Sequence, residues 1–379
     1  MCTKPKDEYG SNLKANLENL IGRMKSMSYR PQPVRQVEIP KPQGGTRPLG
    51  ISCVEDKIIQ QMYSKILEAI FEPHFRQSSY GFRPGRNCHQ AIGKVSEILF
   101  KYRKCEVIDV DLENYFGTID HTNLLGFIGK RIEDKTFMRY MVRIMRSGVM
   151  TKEGFKPSRV GVPQGAICSP VLSNIYAHYV MDEWMEDTVG QYCNQTIHVR
   201  YCDDVVIIVP NQKDTPRVLK GLKNRLNRYH LRLNETKTKI AVLDRTRPKR
   251  KSETNTFSFL GFSYVVGKSR RGILVPKIIS DPVRVRNKLK IFKVWARKAL
   301  NRFPMKEVWK KVILMVSGYA RYYGVSGNLD RVRNFIYQVK RIIFKWSNRR
   351  SQKKSLTFEK FDLFIRANPL PPTKVYHQL

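Results

Sequence analysis

The sequence has few acidic residues, and it lacks a long apolar run. Asp and Glu total 32 against 70 for Lys and Arg, so the 379 residues carry a formal net charge of +38. This excess far exceeds what solubility requires, and it indicates a polyanionic partner, with nucleic acid as the first candidate. Because no apolar stretch is long enough to span a bilayer and the cations are spread along the whole chain, we expect no membrane partner.

Cysteine spacings typical of metal sites are also missing. The seven cysteines include no C-x-x-C pair, so they predict reduced, mostly buried thiols and not zinc ligands or a disulfide framework. The first residues, MCTKPKDEYGSNLK, include acids and no apolar core, so we expect neither a secretory signal nor a transit peptide. The prediction is a cytoplasmic protein.

The periodicity of the chain predicts an α+β fold with a helical C-terminal part. Apolar residues at helical spacing predict helices over 11–27 and 55–71, and the Pro- and Gly-rich stretch 29–51 between them predicts a β-hairpin with basic residues at its tip. Beyond Pro282, three apolar stripes with basic residues between them predict a helical bundle that faces nucleic acid.

The stretch His198 to Pro210, HVRYCDDVVIIVP, contains two adjacent aspartates between two apolar arms. Its β-branched and aromatic residues predict two strands folded back on each other, with Asp203 and Asp204 at the turn. Neighbouring carboxylates repel each other, so a fold tolerates them in water or around a cation, and their hard oxygens suit Mg²⁺. For this pair alone, an exposed and solvated turn is the simpler interpretation.

A third acid, Asp111, makes a metal site the better interpretation of the aspartate pair. It ends a strand-like segment in which Val107, Ile108 and Val110 are apolar. A strand that ends in a carboxylate can lie beside the aspartate hairpin, and the three acids would then form one site for two ions about 3.5–4 Å apart. Such sites serve phosphoryl or nucleotidyl transfer, because one ion activates the attacking hydroxyl and the other stabilises the leaving pyrophosphate.

Four sequence blocks follow one another in the chain: D-x-x-x-Y-F from Asp111, VPQG from Val162, Y-x-DD from Tyr201 and FLGF from Phe259. This order resembles the palm of a reverse transcriptase. From about Tyr29 onward, the chain most resembles the proteins encoded by bacterial group II introns, which combine reverse transcriptase and splicing-maturase activity.

The resemblance implies the fold of a right-hand polymerase and a bacterial, cytoplasmic protein. An N-terminal helix and the fingers would occupy residues 1–100. A catalytic palm with inserted fingers elements would occupy 101–270. An α-helical thumb, the maturase-specific domain, would occupy 271–379.

The resemblance also implies roles for individual residues. Asp111, Asp203 and Asp204 would be catalytic and hold two Mg²⁺ ions while the primer 3′-OH attacks the α-phosphate of a dNTP. Contacts with the incoming nucleotide are expected from Lys41, Arg47, Phe116, Gln164 and Lys237. The ring of Phe116 would exclude a ribose 2′-OH. Contacts with nucleic acid are expected from Arg83, Arg86, Tyr322, Tyr323, Arg349, Arg350, Lys353 and Lys354.

Three functions remain open from the sequence. The first is an RNA-directed DNA polymerase that binds an RNA template, a DNA primer and dNTPs, and that also binds group II intron RNA for splicing and mobility. The second is a free-standing relative of the same fold that works in DNA repair or phage defence. The third is a splicing factor that binds RNA without catalysis. Single surface lysines such as Lys41 and Lys237 are about as well explained by solvation alone.

Overall fold

The computed structural model describes residues 6–40, 45–193, 195–246, 255–349 and 356–379. Its α-helices are α1 (Lys6–Ser11), α2 (Leu13–Lys25), α3 (Val54–Phe71), α4 (Cys88–Lys101), α5 (Tyr115–Thr118), α6 (His121–Gly129), α7 (Lys135–Met145), α8 (Ser169–Ala177), α9 (Gly190–Tyr192), α10 (Thr215–Arg228), α11 (Pro282–Arg302), α12 (Met305–Tyr323), α13 (Leu329–Ser347) and α14 (Phe358–Ala367). Its β-strands are β1 (Val34–Pro40), β2 (Thr46–Ile51), β3 (Lys104–Val110), β4 (Val149–Thr151), β5 (Gly154–Lys156), β6 (Ile197–Tyr201), β7 (Asp204–Val209), β8 (Lys239–Asp244), β9 (Thr256–Phe259), β10 (Phe262–Lys268) and β11 (Leu274–Ser280). Two further segments, His178–Asp182 and Trp184–Val189, are π-helical.

The chain forms two compact units, each built from two separated segments. Unit 1 contains Met1–Cys88 and Val110–Lys239, and unit 2 contains His89–Asp109 and Ile240–Leu379. The mixture of helices and strands confirms the predicted α+β class, and helices follow one another from α11 onward. The division into three parts at residues 100 and 270 stays a prediction.

Unit 1 contains a four-stranded sheet in the order β2-β1-β4-β5, in which each segment of the unit supplies two strands. Strands β1 and β2 are antiparallel, with Ile39 opposite Arg47, which confirms the predicted hairpin. Strand β1 also runs parallel to β4 through Val34 and Val149. The hairpin is therefore anchored on one side to the chain that leads into the VPQG block.

Two helices supply much of the core of unit 1. Helix α3 buries Ile59, Tyr63, Leu67 and Phe71, which recur every four residues and form one apolar stripe. Helix α8 is buried almost all round, as is typical of a helix inside a core. Side chains that hydrogen-bond to α8 are therefore held against a fixed element.

In unit 2, strands β9, β10 and β11 form an antiparallel sheet in the order β11-β10-β9. Asp281 caps the N-terminus of helix α11, and its carboxylate accepts hydrogen bonds from the backbone N–H groups of Val283 and Arg284 at 2.8 and 2.9 Å. Helix α13 buries Val332 and Ile343, among others, which confirms the predicted apolar stripe. Among the described helices, none has both the length and the apolarity needed to cross a bilayer.

Candidate active site

The two aspartates lie at the predicted hairpin turn. Strands β6 and β7 are antiparallel, and Tyr201 pairs with Asp204, so Cys202 and Asp203 form the two-residue connection. Cys202 has a φ of 60°, in the left-handed region that usually favours glycine. Its thiol is buried, and burial, followed by the charge of Asp203, raises its pKa to about 12. Asp203 is half-buried, whereas Asp204 is exposed.

A buried ion pair supports this turn from below, and sequence reasoning did not identify it. Arg200 donates from Nε and Nη2 to Asp182 at 2.8 and 2.6 Å, and from Nη1 to the carbonyl oxygen of Cys202 at 3.1 Å. It also donates to Asn174 on α8 at 2.9 Å and to Ser79 at 2.6 Å. A charged residue inside an otherwise apolar strand was the available signal, since a buried charge requires partners.

The charge of Arg200 determines the ionisation of Asp182. Both side chains are buried, with 1% and 0% of their surfaces exposed. Burial alone would raise the pKa of Asp182, but the charge and hydrogen bonds of Arg200 hold it well below its usual range. The pair is therefore ionised, and it fixes the carbonyl group of the turn that presents Asp203.

Asp111 directly follows β3, as the sequence predicted. Its carbonyl oxygen accepts a hydrogen bond from the N–H of Asn234 at 2.8 Å, and its own N–H donates to Thr238 Oγ1 at 3.3 Å. These bonds fix the backbone and leave the carboxylate half-exposed, at 42% of its side-chain surface. Lys237 Nζ lies 3.9 Å from Asp111 Oδ1, so this lysine stands beside one of the predicted catalytic acids.

Tyr115 connects the Asp111 segment with the aspartate turn. Its hydroxyl donates to the carbonyl oxygen of Ser173 on α8 at 2.6 Å, and Arg200, which holds the carbonyl group of Cys202, donates to Asn174, the next residue of α8. Burial raises the pKa of Tyr115 well above its usual value, and the charge of Asp203 adds to this increase. The side chain four residues beyond Asp111 and the arginine that holds the turn before Asp203 therefore bond to adjacent residues of α8.

The donor set suits a hard divalent ion, although no cage is preassembled. Asp111, Asp203 and Asp204 offer carboxylate oxygens, which are the ligands that Mg²⁺ takes in proteins. In the part of the chain that the structure describes, no three His, Cys, Asp or Glu side chains are grouped so that they could hold one ion. Carboxylates repel one another when no cation lies between them, so bound ions would have to draw these side chains together.

Phe116 is positioned by the VPQG block. Its carbonyl oxygen accepts a hydrogen bond from the N–H of Val162 at 2.8 Å, and the N–H of Gly161 donates to the carbonyl oxygen of Ile119, also at 2.8 Å. The ring of Phe116 packs edge-on against Tyr115, with centroids 5.5 Å apart. The predicted sugar gate is thus fixed to the loop that carries Gln164.

Gln164 lines a cavity of about 210 Å³ between this loop and the β1–β2 hairpin. Its carbonyl oxygen accepts a hydrogen bond from the N–H of Gly50 at 2.7 Å. The neighbouring Gly165 has a φ of +100°, and a Cβ there would lie 2.9 Å from the carbonyl oxygen of Gly50, so only glycine fits. Within the described residues, the buried Oε1 of Gln164 has no hydrogen-bond partner, and its contact with a nucleotide stays a prediction.

The other predicted nucleotide contacts lie on the hairpin. Arg47 is exposed on β2. Lys41 lies outside the described residues.

Arg83 and Arg86, the predicted nucleic-acid contacts of unit 1, both bond within the protein. Arg83 is buried and donates to both carboxylate oxygens of Glu72 and to the carbonyl oxygens of Arg76 and Ser79. Arg86 donates to the carbonyl oxygen of Ser79 at 3.2 Å, and its guanidinium lies over Tyr80. These bonds shape the loop before α4, and the contact with nucleic acid stays a prediction.

The predicted RNA contacts of unit 2 differ in exposure. Tyr323 is buried against Tyr319 and Phe262. Tyr322 stacks on Phe262, and its hydroxyl donates to Leu260 at 2.6 Å, so base stacking would require this packing to open. Arg349 is exposed, and its guanidinium lies over the ring of Trp346. The remaining predicted contacts, Arg350, Lys353 and Lys354, lie outside the described residues.

Comparison with known proteins identifies the family. The model of the reverse transcriptase (RNA-dependent DNA polymerase) family matches residues 39–264, which include all three predicted catalytic acids. The chain therefore belongs to the reverse transcriptase family. Members of this family generally depend on divalent metal ions.

The curated relatives include proteins of group II introns. The group II intron-encoded protein LtrA of Lactococcus lactis is 36% identical over 163 residues, which cover 43% of this chain and 27% of LtrA. The putative COX1/OXI3 intron 1 protein of Saccharomyces cerevisiae is 27% identical and matches 86% of this chain and 43% of its own length. Protein YkfC of Escherichia coli is 32% identical, and the match covers 69% of this chain and 74% of YkfC. The predicted resemblance to group II intron-encoded proteins is confirmed, although the chain spans less than half the length of LtrA and of the yeast protein.

Solved structures support the same fold. Telomerase from Candida albicans, solved with a fragment of telomeric RNA, covers 96% of this chain and 69% of its own, with a TM-score of 0.52 and 11% identity. The match to apo telomerase from Candida tropicalis covers 94% of this chain and 66% of the telomerase chain, with a TM-score of 0.51 and 14% identity. The predicted right-hand polymerase fold is confirmed.

Proposed function

We propose that this chain is an RNA-directed DNA polymerase that extends a DNA primer on an RNA template. Asp111, Asp203 and Asp204 are its catalytic acids and hold two Mg²⁺ ions. The observation that carries this proposal is that Tyr115, four residues after Asp111, and Arg200, which holds the carbonyl group of the aspartate turn, bond to the adjacent α8 residues Ser173 and Asn174. Helix α8 thus fixes the backbone around the acids, while their carboxylates stay accessible to ions, primer and dNTP that arrive from solvent.

The protein side chains would divide the work of nucleotide transfer. When bound, the two ions would promote ionisation of the primer 3′-OH and stabilise the charge on the departing pyrophosphate. Gln164 and Phe116 would orient the base and sugar of the dNTP, since the loop that carries Gln164 is hydrogen-bonded to the backbone of Phe116. Lys237, beside Asp111, would stabilise the negative charge of the triphosphate. Arg47 would approach the phosphates from the fingers hairpin.

Group II intron RNA is the second partner that we propose. The support is the similarity to LtrA together with the basic faces of unit 2, where α11 alone carries eight Lys or Arg residues and no acid. In this proposal, residues 1–100 form the N-terminal helix and fingers, 101–270 the palm, and 271–379 the thumb with the maturase function. The proposed site of action is the bacterial cytoplasm, in line with the bacterial relatives.

Primer extension tests the polymerase proposal. A 5′-labelled DNA primer on an RNA template, with dNTPs and Mg²⁺, should be extended by the full chain. Asp203→Ala should reduce the rate by about a hundredfold or more, the order expected when a group that stabilises the transition state is removed. The matched control is Asp330→Ala, which removes an exposed acid from α13 and should leave extension unchanged.

Two results would contradict the proposal. If the unaltered chain binds the duplex but adds no nucleotide, a splicing factor without catalysis becomes the better explanation. If Asp203→Ala and Asp330→Ala extend equally well, the aspartate turn is not catalytic. The intron partner is tested separately by looking for a group II ribozyme around the gene, since a gene with no such ribozyme favours a free-standing polymerase.

A further inference from the structure

A second groove opens in unit 1 on the side of α10 that faces Trp184–Val189. Its volume is about 510 Å³, and its walls include Trp184, Tyr192, Arg217, Arg225 and Arg228. None of these residues belongs to the predicted catalytic or nucleotide-binding set. The groove is therefore an additional feature of the surface that polymerase chemistry does not explain.

The groove is strongly positive. Three guanidinium groups line it, and its lining contains no acid. Of the acids close to this lining, Glu186 and Asp187 form ion pairs with Arg76 at 3.6 and 2.6 Å, and the charge of Asp214 acts on Cys193, so the three arginines still outnumber the acids that act on the groove. A concave surface with this charge attracts an anionic ligand and focuses its field into the cleft.

Aromatic surface stands beside the positive charge. Tyr192 is 61% exposed, and the guanidinium of Arg217 lies 5.2 Å from the centre of its ring. Trp184 lies close against α10, because Gly221 leaves room for it: a Cβ at Gly221 would lie 3.2 Å from Trp184 Cζ2. Exposed aromatic rings between guanidinium groups are typical of surfaces on which nucleobases stack while phosphates are bound.

The floor of the groove is rigid. Arg225 donates from Nε to the carbonyl oxygen of Val180 and from Nη2 to that of Tyr179, both at 2.9 Å. Both carbonyl groups belong to the π-helical segment His178–Asp182. These bonds use two of the five donors of the guanidinium group and fix its position, so a ligand would not have to order it.

We infer that this groove binds a single-stranded nucleic-acid segment at a site separate from the catalytic acids. A base stacks on Tyr192, and Arg217 and Arg228 bind the flanking phosphates. The combination of ring and guanidinium favours nucleic acid over an acidic peptide, since carboxylates alone would gain nothing from the exposed ring. The inference does not depend on polymerase activity.

The test uses the full chain carrying Asp203→Ala, with its duplex-binding surface filled by excess primer–template. A 12-nucleotide uridine RNA with a fluorescein label is then titrated, and a thymidine DNA of equal length shows which strand is preferred. Tyr192→Ala should weaken binding of the preferred strand about tenfold. Arg228→Gln should reduce the slope of log affinity against log salt by about 0.7. A 4-thiouridine probe should cross-link to the segment that contains Tyr192.

The matched control is Lys220→Gln, which removes an exposed cation from the same helix outside the groove lining. It should change affinity by less than about twofold, because an exposed charge off the site is screened. If Lys220→Gln and Tyr192→Ala lose equal affinity, binding depends on the overall positive charge of the surface and not on the groove, and the inference is overturned. A missing cross-link near Tyr192, or a polyglutamate peptide that competes as well as the RNA, would also overturn it. If the unaltered chain does not extend a primer, the proposed polymerase function fails, but the binding measured at this groove is unaffected.

Discussion

Arg200 and Asp182 form a buried ion pair directly beneath the aspartate turn, with Arg200 Nη2 2.6 Å from Asp182 Oδ2. The same guanidinium donates to the carbonyl oxygen of Cys202. The residue that neutralises the buried acid therefore also holds the backbone that presents Asp203. Stability of the fold and position of the acid are coupled through one side chain.

Removing the positive partner should destabilise the protein. Arg200→Met leaves Asp182 charged and buried, so we expect a loss of about 3–5 kcal/mol in the free energy of unfolding, measured by urea denaturation. The control is Lys65→Met, which breaks the exposed pair of Lys65 with Glu68 and should cost no more than about 1 kcal/mol. Equal losses in the two variants would show that the buried pair has no special role.

The ring of Phe116 should determine sugar selection. Phe116→Ala should raise the use of rNTPs relative to dNTPs by about tenfold, since the removed ring leaves space for a 2′-OH. The ratio of kcat/KM values for dNTP and rNTP in primer extension measures this change. Phe303→Ala, which removes an exposed ring in unit 2, is the control. An unchanged ratio in Phe116→Ala would refute the gate assignment.

Cys202 adopts its left-handed conformation without the freedom of glycine. Cys202→Ala should therefore keep both stability and primer extension. Cys202→Val should cost about 1–3 kcal/mol, because a β-branched residue is strained at a φ of 60°. Cys105→Val is the matched control, since Cys105 is buried in β3, where β-branched residues are favoured. A stable Cys202→Val variant would mean that the turn relaxes to another conformation.

His178 should make the protein sensitive to mild acid. Burial, together with the charges of Arg200, Arg76 and His74, lowers its pKa to about 4, although the charge of Asp182 partly offsets this decrease. The folded pKa is below the usual 6.5, so the neutral form favours folding. This contribution is fully present above about pH 6.5 and declines as the pH falls towards 4, by up to about 3 kcal/mol.

Urea denaturation at pH 7.0 and 4.5 measures that dependence. His178→Gln should show a smaller loss of stability between the two pH values than the unaltered chain. The control His230→Asn replaces an exposed histidine at a left-handed position that Asn tolerates, and it should keep the full pH dependence. If His178→Gln loses as much stability as the unaltered chain, carboxylates elsewhere cause the acid sensitivity.

Local sequence patterns determined most of the elements around the site. The apolar arms beside Asp203 and Asp204 specify a hairpin because β-branched residues favour strands, and the run before Asp111 specifies strand β3 for the same reason. The order of the blocks identified the reverse transcriptase family. The stripes after Pro282 predicted helices because helical spacing places apolar residues on one face.

Only the tertiary structure decided which distant residues meet. The side-chain partners of Arg200 lie 18, 26 and 121 positions away along the chain, and no local periodicity encodes such separations. The same is true of the groove beside α10, whose cations look like an ordinary solvated helix face in the sequence. Sequence fixes local backbone preference and the placement of apolar faces, whereas the packing of those faces decides which polar groups are brought within hydrogen-bond distance.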